Sequence, residues 1–152
     1  FNDCYNGWRS LVLIIEIKSK RTRQFSSIVI YLDDGKVLLL KRKDNVPYGG
    51  LWGFTGGGAE KDETPEEAAV RETVEETGIK VLADDLVFLE KVLSPDNRDV
   101  HIFACNKFEG KVNSQKVYEE HDGYDWVAIE ELGEYDMPDN SMPLIKKALS
   151  VL

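Results

Sequence analysis

Cysteine is scarce in this sequence, and the scarcity excludes a disulfide framework. Only Cys4 and Cys105 occur among 152 residues, and they do not have the close spacing that metal-binding cysteines show. Cys105 lies in the apolar run VHIFAC, which predicts a buried thiol in the core. Because such a chain needs no cross-links, we expect a cytoplasmic protein in a reducing compartment.

The sequence also lacks a basic excess and a long hydrophobic run. Its 19 lysines and arginines are outnumbered by 28 aspartates and glutamates, which gives a formal net charge of -9. Since DNA and RNA polymers demand a basic face, we expect no nucleic-acid polymer as a partner. There is no run of eighteen apolar residues, so we expect no membrane partner. The most apolar early stretch, residues 11–17, is too short and is not followed by a signal-peptide cleavage site.

Hydrophobic residues make up 42% of the chain and charged residues 31%, which predicts one globular domain. Residues 26–32 and 36–42 flank the turn Asp33-Asp34-Gly35, and this pattern predicts a β-hairpin. Residues 43–58 contain seven glycines or prolines and predict a long loop. A loop of this length inside a compact domain is usually functional.

A helix is predicted directly after this loop. Thr64 can be its N-cap, Pro65 its first residue, and Glu67 the third position of a capping box, while Gly78 ends it. Apolar runs at residues 86–93, 100–108 and 126–129 predict further strands, and residues 143–149 predict a closing helix. Strands mixed with two helices predict an α/β sandwich. The residues of the first helix that we expect to face the core are Ala69, Thr73, Val74 and Thr77.

Three glutamates crowd one face of the first predicted helix. Glu72, Glu75 and Glu76 fall at i, i+3 and i+4, so their carboxylates lie one turn apart. Like charges repel at this spacing unless something positive lies among them. One interpretation is a solvated acidic helix face. The other is a divalent-cation site, because hard cations bind several carboxylate oxygens at once.

The residues around the three glutamates favour the cation site. Residues 57–79 resemble the signature of the Nudix hydrolases: glycine, five residues, glutamate, seven residues, Arg-Glu, an apolar residue, any residue, Glu-Glu, any residue, glycine, and an apolar residue. Thr73 departs from the pattern, since an aliphatic residue is usual there. The resemblance implies a Nudix-type α/β/α sandwich with a mixed β-sheet. The charged and glycine positions that match are Gly57, Glu63, Arg71, Glu72, Glu75, Glu76 and Gly78.

The resemblance also implies a metal site and a set of catalytic residues. Glu72 is predicted as the general base or as a ligand beside the base, and the same catalytic set contains Glu75, Arg71 and Glu63. Arg71 precedes Glu75 by four residues and could hold its carboxylate in place. The bound ion would be Mg²⁺ or Mn²⁺. Its predicted ligands are the Gly57 carbonyl and the carboxylates of Glu72, Glu75, Glu76 and Glu120.

Glu120 is the one predicted ligand outside the signature. It lies six residues before Trp126, where several Nudix relatives carry an acidic ligand, and Glu119 is the neighbouring alternative. An ordinary acidic loop residue is the competing interpretation of Glu120. The sequence leaves these interpretations open.

Outside the signature, the chain is most similar to the MutT branch of the Nudix hydrolases, from Phe25 to the C-terminus. The branch has counterparts of five short stretches of this sequence: KR at residues 41–42, PDNR at 95–98, HI at 101–102, FEG at 108–110 and MPDN at 137–140. These imply substrate contacts by Arg42, Arg98 and Asn140, with the Asn140 amide reading the base. Asn140 could instead be the N-cap of the closing helix or an adjacent turn residue.

Residues 1–24 have no counterpart in the MutT branch. We therefore divide the chain into an N-terminal extension, residues 1–24, and a Nudix hydrolase domain, residues 25–152. Within the extension, residues 11–17 are predicted to form an extra strand or one half of a homodimer contact.

The predicted function is that of a metal-dependent pyrophosphohydrolase acting on a small nucleotide in which a nucleoside diphosphate is linked to another group. The first choice of substrate is a nucleoside triphosphate such as 8-oxo-dGTP, cleaved to the monophosphate and pyrophosphate. One alternative is an ADP-ribose or nucleotide-sugar hydrolase. The other is a non-catalytic nucleotide-sensing module, although such modules often lose the charged residues that are intact here.

Overall fold

The computed structural model describes residues 25–45, 49–94 and 97–152. The extra strand or dimer contact predicted for residues 1–24 lies outside the described residues. The helices are α1 (Pro65–Thr77), α2 (Ser114–Glu120) and α3 (Ser141–Val151), with 3₁₀ turns at Ala83–Asp85 and Ile129–Glu134. The strands are β1 (Phe25–Asp33), β2 (Lys36–Arg42), β3 (Trp52–Gly53), β4 (Thr55–Gly58), β5 (Val87–Leu93), β6 (Asp99–Cys105) and β7 (His121–Ala128).

Strand β1 is the centre of a seven-stranded mixed sheet. It pairs in parallel with β6 and antiparallel with β2 and β4. Strand β5 extends the sheet beyond β6, and β2 carries both β3 and β7 as antiparallel neighbours. Because β1 is surrounded by strands, residues 26–32 are all buried, and residues 28–32 form a continuous apolar run.

Helices cover both faces of the sheet. On one face, Ile28, Ile30 and Leu32 of β1 pack in a cluster that includes residues of α3. On the other, Val29 and Tyr31 pack with residues of α1 and α2. Alternate residues of a strand point to opposite faces, so one strand supplies both cores. The predicted α/β/α sandwich with a mixed sheet is confirmed.

Several predicted elements are confirmed in detail. Strands β1 and β2 form the predicted hairpin, with Leu32 opposite Val37. Cys105 is fully buried, and burial raises the pKa of its thiol. Among the described residues, no helix has the length and apolar character needed to cross a membrane.

The prediction of an unbroken loop over residues 43–58 is wrong. Strands β3 and β4 lie within it, and Thr55–Gly58 pairs with Ser26–Val29 of β1. Glycine has a low intrinsic preference for strands. Here the hydrogen bonds that β1 supplies override this preference. Glycine is also required there: a Cβ on Gly56 would come within 2.5 Å of the Ser27 carbonyl oxygen.

The prediction of only two helices is also wrong, because α2 was not expected. Asn113 caps it, its Oδ1 accepting the N–H groups of Gln115 and Lys116 at 3.0 and 3.4 Å. The sequence signal for α2 is weak, because a helix of only seven residues depends on tertiary packing for its stability. The other differences are in element bounds: β6 ends at residue 105 rather than 108, β7 begins at residue 121 rather than 126, and α3 begins at residue 141 rather than 143.

Candidate active site

Helix α1 begins and ends as its sequence predicts. The Thr64 hydroxyl accepts the Glu67 N–H at 3.1 Å, and the Glu67 carboxylate accepts the Thr64 N–H at 3.3 Å, which completes the capping box. Gly78 adopts a left-handed φ of 79°, and its N–H donates to the Val74 carbonyl. These caps fix which residues of α1 face the sheet.

The face that α1 turns toward the sheet carries two glutamates as well as apolar residues. Ala69, Thr73 and Thr77 are buried as predicted, whereas Val74 is only partly buried. Glu72 and Glu76 are also buried, with 4% and 3% of their surface exposed. A buried carboxylate is costly unless it is paired and hydrogen-bonded, so each needs specific partners.

Arg71 is the positive group that the sequence required among these carboxylates. Its guanidinium binds Glu63 through Nε at 2.8 Å and Nη2 at 3.0 Å. Nη1 donates to Glu72 at 3.1 Å and to Glu75 at 3.2 Å, which bears out the predicted i,i+4 contact. Nη2 also donates to the Gly58 carbonyl at 2.9 Å, so Arg71 joins the helix to β4. These carboxylates, Glu63 above all, raise the pKa of Arg71 further above its usual range, although burial opposes them.

At Gly57, strand β4 approaches α1 so closely that a Cβ has no free space. A Cβ on Gly57 would overlap the carboxylate of Glu72. The adjacent Gly56 N–H donates to Glu76 Oε1 at 3.1 Å. Both buried glutamates therefore lie against the glycine backbone of β4, and only glycine at residue 57 leaves room for the Glu72 carboxylate.

Strand β7 brings a further polar group to the same place. His121 Nε2 lies 3.7 Å from Glu76 Oε2. Glu120, the residue before it, is the exposed last residue of α2, so it lies at the end of a helix and not in a loop. Glu120 thus adjoins in sequence the residue whose imidazole approaches Glu76. His121 belongs to no motif that would have indicated a role in the site.

The predicted substrate residues Arg42 and Arg98 lie in different parts of the fold. Arg42 is buried and is the register partner of His121 in the β2–β7 ladder, beside a β-bulge. Burial lowers the pKa of its guanidinium. Arg98 lies at the turn between β5 and β6, where its N–H donates to Ser94 Oγ at 2.9 Å. Next to it, Asp99 pairs with Phe25, and β1 begins there beside β4.

Asn140 occupies the N-cap position of α3 without acting as a side-chain cap. Both polar atoms of its amide are buried, and neither has a hydrogen-bond partner among the described residues. The same is true of the Ser141 hydroxyl, which sequence reasoning missed. The predicted N-cap or turn position of Asn140 is therefore confirmed, but its side chain makes no capping hydrogen bond. Buried polar groups normally find partners, so these atoms are candidates for contacts with a ligand.

The family model described as NUDIX domain matches residues 20–148. The chain belongs to the Nudix family. It is similar to the CTP pyrophosphohydrolase of Escherichia coli K12, with 31% identity over 120 residues that cover 78% of this chain and 85% of the relative. A 46-residue stretch is 54% identical to an ADP-ribose pyrophosphatase of Methanocaldococcus jannaschii, covering 30% and 27% of the two chains. A solved MutT structure, from work on Aliivibrio salmonicida and Vibrio cholerae, has a TM-score of 0.70 at 26% identity and covers 85% of this chain and 99% of that one.

Membership makes the chain a Nudix pyrophosphohydrolase of the nucleoside triphosphate or ADP-ribose kind, which acts on small nucleotides. Nudix hydrolases generally use divalent metal ions. Across residues 25–45, 49–94 and 97–152, no three histidine, cysteine or acidic side chains already converge as a set of ligands. The residues nevertheless fit a cation: two buried carboxylates and a glycine backbone meet where a Cβ would fill the space, and oxygen donors suit Mg²⁺ or Mn²⁺.

Proposed function

We propose that this Nudix pyrophosphohydrolase cleaves a nucleoside triphosphate to the monophosphate and pyrophosphate. The observation that carries the proposal is the meeting of α1 and β4, where Glu72 and Glu76 are buried against glycine backbone and Arg71 joins the two elements. The 31% identity with a CTP pyrophosphohydrolase over most of both chains supports a triphosphate substrate. Among triphosphates, 8-oxo-dGTP is our first choice and CTP the competitor that this relative's name suggests.

The proposed ion is Mg²⁺ or Mn²⁺, held by Glu72, Glu75, Glu76 and Glu120 with the Gly57 carbonyl. When bound, it neutralises phosphate charge so that water can attack a polyphosphate. Arg71 offsets the repulsion between Glu72 and Glu75, since its Nη1 donates to both carboxylates.

Glu72 is our proposed general base. Its side chain is only 5% exposed, and Arg71 Nη1 holds one oxygen at 3.1 Å. A carboxylate fixed in this way can accept a proton from one water in one position, which is what general-base catalysis needs. Glu120 is the alternative base, and it is exposed at the end of α2. Replacing Glu72 and Glu120 by Gln, one at a time, separates the two candidates. Loss of the general base should lower kcat severely. Loss of a residue that only binds the metal should leave measurable turnover but raise the metal concentration that activity requires.

Base recognition is assigned to Asn140. Its amide offers one acceptor and two donors, and in the described part of the chain all of them are buried without a partner. A purine or pyrimidine edge would satisfy these atoms. Arg42 and Arg98 are proposed to contact the remaining parts of the nucleotide, since a guanidinium suits phosphate oxygens.

The test is a panel of 8-oxo-dGTP, dGTP, CTP and ADP-ribose with purified protein and either Mg²⁺ or Mn²⁺, with products identified by chromatography. We expect a triphosphate to have the highest kcat/KM and to yield a monophosphate and pyrophosphate. In ¹⁸O-labelled water, one phosphate-containing product should carry the label. If ADP-ribose is the best substrate, the triphosphate assignment is wrong and the M. jannaschii enzyme is the better guide.

Asn140→Ala tests base recognition in the same panel. Because the amide makes no cap bond, we expect no loss of thermal stability, but a selective loss of kcat/KM for the preferred base. Asn113→Ala is the matched control: Asn113 does cap its helix, so it should cost about 1 kcal/mol of stability and affect all substrates alike. A uniform drop across substrates in Asn140→Ala would remove its role in base recognition.

A further inference from the structure

His121 lies beside two of the elements that carry the proposed metal ligands, α1 and α2. Its side chain is only 13% exposed, and Nε2 lies 3.7 Å from Oε2 of Glu76. It is the first residue of β7, and its backbone N–H donates to the Val117 carbonyl, which ends α2 directly after Glu120. In the β2–β7 ladder its register partner is Arg42. The residue thus contacts α1 through its imidazole, and α2 and β2 through its backbone.

Glu76 is held from two sides at this junction. The Gly56 N–H donates to Oε1 at 3.1 Å, and the His121 imidazole faces Oε2. The side chain of Glu76 is 2% exposed, so solvent does little to fix its orientation. Nε2 is about half an ångström outside hydrogen-bond length, which a small rotation of either side chain closes.

We propose that His121 is a positioning residue for the metal site, which donates Nε2–H to Oε2 of Glu76 and so fixes that carboxylate for the cation. The proposal rests on the proposed function, since it takes Glu76 to be a ligand. Carboxylate ligands are themselves hydrogen-bonded, and loss of such a partner costs about 10- to 100-fold in metal affinity or activity. The chain's sequence signature does not include position 121.

A second consequence follows from where His121 lies. Glu120 precedes it, and the backbone N–H of His121 ends α2 by donating to the Val117 carbonyl. Loss of the imidazole therefore removes the contact with Glu76 and leaves this backbone hydrogen bond beside Glu120 in place. The donor and the packing role are separable by two variants.

His121→Gln retains an N–H donor near the Nε2 position, and His121→Phe retains an aromatic ring of similar size without a donor. The chain has only one other histidine, so His101→Gln is a matched control for the loss of an imidazole. His101 packs edge-on against Phe25, at 5.4 Å between ring centroids, and not against a proposed ligand. Glu76→Gln reports on the metal site itself.

The measurement is Mn²⁺ affinity, read from the electron paramagnetic resonance signal of free Mn²⁺ without nucleotide. Thermal melts in EDTA check that each variant folds, and kcat and KM follow for the best substrate. We expect His121→Phe to bind Mn²⁺ at least about 10-fold more weakly. Its kcat should fall by a larger factor than its KM changes. His121→Gln should lie within a few-fold of the wild type, and His101→Gln should match it.

Three results would overturn the proposal, and they differ from one another. Wild-type affinity in His121→Phe removes the positioning role and leaves the proposed function standing. Equal loss in His121→Gln and His121→Phe makes the imidazole a direct ligand or a packing element. Wild-type affinity in Glu76→Gln means that the metal lies elsewhere, and then the proposed site fails together with this inference.

Discussion

Thr73→Val would restore the aliphatic residue that is usual in the Nudix signature, yet we expect it to destabilise this protein. Thr73 and Tyr31 are both fully buried, and their hydroxyl oxygens lie 2.8 Å apart. Thr73 Oγ1 also donates its single proton to the Ala69 carbonyl at 2.9 Å. The Tyr31 hydroxyl must therefore donate to Thr73, which serves as its acceptor.

The magnitude follows from which partner is removed. In Thr73→Val, which keeps the side-chain shape, the buried Tyr31 hydroxyl is left without its acceptor, and we expect a loss of about 1–3 kcal/mol in the free energy of unfolding. In Tyr31→Phe, Thr73 keeps its bond to Ala69, so the expected loss is about 0.5–1.5 kcal/mol. The double variant removes both polar groups, so it should be less destabilised than the sum of the two by about 1 kcal/mol.

Urea denaturation of the four proteins gives these free energies, provided that the slope with denaturant is unchanged. Activity should change little, because neither side chain is among the proposed ligands. A stabilising or neutral Thr73→Val, or strict additivity in the double variant, would refute the argument. Either result would mean that the hydrogen bond at residue 73 does not compensate for the missing aliphatic residue.

Three further predictions concern the site and its helix. Glu76→Gln should fold and lose nearly all turnover, and saturating Mg²⁺ should raise the melting temperature of the wild type more than that of the variant; equal shifts would count against Glu76 as a ligand. Gly57→Ala should reduce turnover and Mg²⁺ stabilisation because its Cβ overlaps the Glu72 carboxylate, whereas Gly53→Ala, with open space at its Cβ, should not. Thr64→Ala should cost about 1 kcal/mol in denaturation because it removes the capping-box acceptor, and an unchanged midpoint would contradict this.

Helix α1 is the part of the site that the sequence determined most completely. Its ends follow from Thr64, Pro65 and Gly78, and its periodicity puts Glu72, Glu75 and Glu76 on one face. These are local properties, since a cap bonds to residues three positions away and helical spacing depends only on the backbone. The predicted contact between Arg71 and Glu75 is local for the same reason.

The tertiary structure decided which of those carboxylates are buried and what they touch. Glu72 and Glu76 are buried while the side chain of Glu75 is 51% exposed, because β4 packs on one side of the face. Pairing with β1 turned glycine-rich sequence into that strand, although local propensity predicted a loop. The contact of His121 with Glu76 joins residues 45 positions apart. The buried Asn140 amide, which has no hydrogen-bond partner in the part of the chain that the structure describes, is visible only once the residues around it are packed. Such features depend on contacts between distant segments, and spacing along one chain does not encode them locally.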